Sequence, residues 1–133
     1  MDQKIVTRGD SQEVPEMKAL EMNFGGPFPK YDVCTELGID PSIFGEENGL
    51  RKLRSFLEPQ VKAFDNSPIY YNEKQLIDKM IEHKIESRCD QPSFIMNHPI
   101  LMSPLAKSHA QGKDPTNIRG AEHLAERFEL FVN

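Results

Sequence analysis

Asn72–Arg88, NEKQLIDKMIEHKIESR, most constrains what this chain can fold into. Asn72 is a good N-cap, and Gln75 three residues later completes a capping box. Leu76, Ile77, Met80, Ile81 and Ile85 then recur at helical spacing and form one apolar face. Such a face must be buried against another element. Glu46–Leu57 offers one, with Leu50, Leu53, Phe56 and Leu57 forming a second apolar stripe. Pro59 limits this helix or starts another. Tyr31–Leu37 reads as a short helix stopped by Gly38.

The other signals are of strands. Leu20, Met22 and Phe24 alternate with Glu21 and Asn23, a period of two that predicts a strand over Ala19–Phe24, ended by Gly25-Gly26-Pro27. Ser93–Met96 is a short β-like run, and Pro99 pushes His98 to an extended backbone. Residues 108–120 form a polar loop, and Arg127–Val132 is the last strand. The expected fold class is α+β: an antiparallel sheet with helices inserted between its strands. A βαβ series is not expected, because the helices cluster in one block. Residues 1–18 read as a polar, poorly ordered segment. Residues 19–133 read as one domain with a helical insertion at about 42–88.

Composition narrows the function classes. The chain has 133 residues, 38% apolar and 28% charged, with a formal net charge of −5. That suffices for one core and offers no broad basic surface for nucleic acid. Cys34 and Cys89 have no Cys or His at metal-ligand spacing, so two free thiols are expected rather than a disulfide or a zinc site. No apolar run approaches the roughly 20 residues that span a bilayer, and the first ten residues contain no apolar signal core.

Few residues are candidates for chemistry. Along the last strand Phe128, Leu130 and Val132 share one face, and Arg127, Glu129 and Phe131 the other. Glu129 thus lies between a guanidinium and an aromatic ring. A strand carboxylate facing a cleft suits Mg²⁺, which takes oxygen donors and bridges protein to phosphate. By pattern alone, an ordinary exposed Arg/Glu strand face is the plainer reading. His98 could act as acid or base, and Lys107 could meet phosphate as a point charge. Each is more simply a loop or surface residue. Asp78, Glu82 and Glu86, four residues apart, read as a solvated helix face. No Walker loop, GxGxxG, HExxH or Ser/His/Asp order is present.

Two segments carry a family resemblance. PSFIMNHPILMSPLAKSH, followed by ERFELFV, resembles the "PTF-x-x-x-HP-x-x-MSPLAK" and "ERFELF" elements of class II lysyl-tRNA synthetases. NEKQLIDKMIEHKIESRCDQPSF is similar in kind to the family's stretch between its second and third signature motifs. EMNFGGPFPKYDVCTEL is similar to "FTPPFRRI…EEL", with Gly25, Gly26, Pro29 and Lys30 departing from it. The resemblance covers roughly residues 19–132 and is strongest at MSPLAK and ERFELF. Aspartyl and asparaginyl synthetases share the scaffold without the SPLAK element, so lysine is the better match.

The resemblance implies the class II antiparallel sheet, ATP and Mg²⁺, and activation of lysine followed by transfer to tRNA(Lys). It implies a homodimeric parent enzyme in the cytoplasm or, alternatively, the mitochondrion. It also implies that Glu129 helps hold ATP through Mg²⁺, while residues 103–107 shape the site without direct catalysis. The family's three signature motifs, their arginines and the anticodon-binding domain have no counterpart in these residues. The expectation is therefore a catalytic-domain fragment, inactive alone, with no residue assigned as catalytic. The alternative is a non-catalytic binding or regulatory protein built from the same fold. A self-contained sheet would distinguish it, since the last strand is otherwise expected to expose an apolar edge.

Overall fold

The structure, a computed structural model, describes residues 5–9, 14–102, 120–125 and 127–132. Four strands, β1 (Ile5–Gly9), β2 (Lys30–Asp32), β3 (Ser93–Met96) and β4 (Phe128–Val132), form one sheet in the order β1-β4-β3-β2. The fold is α+β. β4 runs antiparallel to β1 and β3, whereas β2 and β3 run parallel. The fully antiparallel sheet expected from the sequence is thereby corrected to a mixed one. Parallel neighbours need a long crossover, and the helical block between β2 and β3 supplies it. Clustering of helices thus did not exclude a β–helix–β connection.

That block contains α2 (Val33–Leu37), α3 (Gly49–Lys62) and α4 (Glu73–Lys84), with 3₁₀ turns between and after them. It begins earlier than residue 42. Asp32 caps α2, and Gly38, at φ 74°, ends it in the left-handed conformation. Asn72 and Gln75 form the expected reciprocal capping box on α4. The helix stops at Lys84, and a 3₁₀ turn continues to Arg88. Leu76, Ile77, Met80, Ile81 and Ile85 are all buried.

α3 differs from its expected stripe. The buried positions are Gly49, Leu53, Leu57 and Val61, while Leu50 and Phe56 are 49% and 46% exposed. A Cβ at Gly49 would stand 1.9 Å from the carbonyl oxygen of Ile43, so only glycine permits this approach. With position 49 turned inward, every fourth residue follows it. Pro59 lies inside the helix rather than ending it. Ser55, the partner of the missing N–H, is exposed.

Ala19–Phe24 is also corrected. It belongs to a helix, α1 (Val14–Phe24), not a strand. Met17 and Leu20 pack on the sheet, whereas Met22 and Phe24 are 85% and 61% exposed. Two of the three apolar side chains that made the period-two pattern are mostly exposed. Ala, Leu, Met, Glu and Lys are strong helix formers, and that preference prevails here. Gly25, at φ 85°, ends the helix. The 1–18 segment, read as poorly ordered, contains β1 and the first residues of α1.

Both sheet faces are covered. Phe28, Phe94, Phe128 and Leu130 pack with α1 on one side. Phe94 and Phe128 meet edge to face at 5.2 Å and 89°. On the other side Ile95 and Phe131 join the core of α2, α3 and α4. Phe131 is 2% exposed, so the face it shares with Glu129 is also a core face.

Candidate functional site

β4 is an inner strand, and the pleat aims Glu129 toward the helical layer. In register, Glu129 pairs with Ile95 and Phe128 with Met96. Two residues from Glu129 on the same face, Arg127 donates from Nη2 to Glu129 Oε1 at 2.8 Å. The side chains are 18% and 16% exposed, so this pair is largely withdrawn from water. His98 Nε2 stands 3.8 Å from Glu129 Oε2, beyond a direct hydrogen bond. These three groups line a cavity of about 250 Å³, closed by Met102 and by Lys74, Asp78, Ile81 and Glu86 from α4 and the turn after it.

The loop after β3 sets His98 in that wall. Asn97 adopts φ 60°, and its Nδ2 donates to Asp32 Oδ2 at 2.7 Å. The His98 carbonyl accepts from the N–H of Ala125 at 2.8 Å, and Pro99 bridges to Leu124. His98 is 3% exposed, so this loop residue is buried in the cavity wall.

Asp78 and Glu86, read from the sequence as solvated, line the cavity, whereas Glu82 borders a different surface depression. Loss of hydration lifts the Asp78 carboxyl above its ordinary range. Lys74 opposes this, while Glu86 and Glu82 reinforce it. Lys74, Asp78 and Ile81 are spaced as one helix strip, the only sequence signal that could have grouped them. Lys107 and residues 103–107 lie outside the described residues, as does most of the loop at 108–120.

The cavity presents opposite charges in close quarters, which suits a polar, charged ligand. For Mg²⁺ the donor set fits only in part. Among the described residues no group of three or more His, Cys, Asp or Glu side chains could hold a metal ion. Mg²⁺ commonly takes one or two carboxylates and completes its shell with phosphate and water. Glu129 could be one such carboxylate, alongside its bond to Arg127. Cys34 and Cys89 are buried free thiols. Burial, with Asp32 and Asp40 adding to it, pushes the Cys34 thiol up to about 12. No helix among the described residues is long and apolar enough to cross a membrane.

No protein-family model matches the chain. Curated proteins do. A probable cytoplasmic lysine–tRNA ligase of Encephalitozoon cuniculi is 34% identical over 122 residues, covering 87% of this chain and 22% of that protein. The corresponding protein of Vairimorpha ceranae is 32% identical over 136 residues, covering 98% and 24%. The lysine–tRNA ligase of Aquifex aeolicus is 35% identical over 118 residues, covering 84% and 17%. The chain spans about a sixth to a quarter of the length of these curated relatives. The similarity runs along most of the chain rather than through one short motif, and on that ground the chain belongs to the lysine–tRNA ligase family.

Proposed function

We propose that these residues form part of a class II lysine–tRNA ligase catalytic domain, which activates lysine with ATP and transfers it to tRNA(Lys). The observation that carries the reading is the similarity to proteins of that name along 84–98% of the chain. The charged cavity at Arg127, Glu129 and His98 supports it. In this reading Glu129 binds ATP through Mg²⁺. The chemistry supplied by the bound cation is neutralisation of phosphate charge. Arg127 holds Glu129 in one orientation, and the buried wall around them restricts water. In this reading the parent enzyme is a homodimer of the cytoplasm, with the mitochondrion as the alternative; the names of two relatives support the first compartment and that of another the second.

Class II catalysis rests on positioned charge around the triphosphate, and these 133 residues carry one wall of such a site. The isolated chain is therefore expected to show no lysine-dependent ATP–pyrophosphate exchange, and robust exchange would overturn that expectation. A chimera carrying this stretch inside an active lysine–tRNA ligase tests the larger reading. It should be active, and Glu129→Gln in it should raise the KM for Mg·ATP. An inactive but folded chimera would count against the proposal.

One observation favours the second reading, a non-catalytic binding protein. β4 is paired on both sides, by β1 and β3, so the apolar strand has a covered edge. Capture of a full-length lysine–tRNA ligase by the monodisperse chain would support this reading, and absence of any such complex would remove it.

A further inference from the structure

Asp32 ends β2 and lies in register with Met96, the last residue of β3. Because these strands are parallel, both leave the sheet at the same end, beside the candidate site. The Asp32 carboxylate does two things there. Its Oδ1 accepts the N–H of Thr35 at 3.0 Å and so caps α2, while its Oδ2 accepts from Asn97 Nδ2 at 2.7 Å. The second bond joins side chains 65 residues apart in sequence.

Asn97 has a left-handed backbone, φ 60°, and is 4% exposed. Asparagine tolerates that conformation at a cost of about 1 kcal/mol, and a charge-assisted hydrogen bond can offset it. The next residue is His98, whose imidazole faces Glu129 Oε2 while Arg127 occupies Oε1. We propose that Asp32 is a positioning residue: through Asn97 it fixes the turn that holds His98 in the cavity wall, and so places the imidazole beside Oε2 of Glu129, whose Oε1 accepts from Arg127. Its importance for ligand binding rests on the function proposed above. The clasp itself does not.

The test uses the full 133-residue chain, isotope-labelled, with the ring signals of His98 and its cross-peaks to Glu129 observed by NMR. Asp32→Ser keeps a capping oxygen for α2 but is too short to reach Asn97. Asn97→Gly keeps the left-handed turn at no steric cost and removes the amide. Each variant should shift the His98 ring nitrogens and abolish the His98–Glu129 cross-peaks. The signals of His83, stacked on Phe64, should stay in place. The double variant should add nothing to either single one. Retention of the cross-peaks in Asn97→Gly overturns the proposal, as does a response to Asp32→Ser alone, which would assign the effect to the α2 cap. If Asp32→Ser fails to fold, Asn97→Gly decides. Titration of the wild-type chain and Glu129→Gln with Mg·ATP separates the two claims: absence of binding with the ring effects intact removes the ligand role and leaves the clasp.

Discussion

The Arg127–Glu129 pair should behave as a buried ion pair, and a double-mutant cycle measures this. The bond is 2.8 Å long and both side chains are less than one-fifth exposed. Breaking a fully buried pair costs roughly 3–5 kcal/mol, because one charge is left without compensation. Partial exposure puts Arg127→Met near the lower end, at about 3 kcal/mol. Glu129→Gln keeps an acceptor for the guanidinium and should cost about 1 kcal/mol. Arg127→Met/Glu129→Gln removes both charges, so its cost should be about 2 kcal/mol rather than the sum, a coupling of about 2 kcal/mol. Urea unfolding followed by far-ultraviolet circular dichroism at pH 7 is the assay. With a denaturant slope of about 2 kcal/mol per M, Arg127→Met should lower the midpoint by roughly 1.5 M. Additive costs, or an Arg127→Met midpoint equal to wild type, would refute the buried pair.

Gly120→Ala should be among the more damaging small substitutions. Gly120 sits at φ 79°, and a Cβ there would stand 2.5 Å from the Ser42 backbone nitrogen. A loss of about 2–3 kcal/mol is expected, read as a clear fall in melting temperature; an unchanged melting temperature would contradict that packing. Asn72→Ala removes half of the capping box and should cost about 1 kcal/mol, with the helical signal of α4 fraying in hydrogen exchange. Cys34 carries a pH prediction. Its folded value lies above the ordinary one, about 12 against 9.0, so its contribution is fully present below pH 9 and is lost as pH rises toward 12. The urea midpoint of wild type should therefore fall faster over that range than that of Cys34→Ala, and parallel profiles would refute it. At pH 8 the native thiol should also react with a disulfide reagent far more slowly than in denaturant.

Local chemistry was the legible part of this fold. The capping box of α4, its apolar face, the stop at Gly38 and the β3 and β4 strands depend on neighbours within about four residues, and they stand as expected. Failures came where burial, not period, decides. Leu20, Met22 and Phe24 alternate, yet Met22 and Phe24 face outward on a helix. Leu50 and Phe56 fit a helical stripe, yet the close approach at Gly49 rotates α3 so that they point away. In the candidate site, Arg127 and Glu129 could be paired from the sequence because a strand repeats every two residues. Asp78 and Glu86 could not be assigned to their cavity, since a polar helix face looks the same against solvent as against another polar wall.

From sequence alone came the family, the two strands flanking His98 and Glu129, and the helix that packs beside them, because motif identity and helical or strand period are carried by adjacent residues. Only tertiary structure decided that β2 pairs in parallel with β3, that β1 covers β4, and that Asp32 reaches Asn97. Those outcomes join residues tens of positions apart. They are selected by which arrangement buries both faces of the sheet while leaving its backbone and its few internal charges paired.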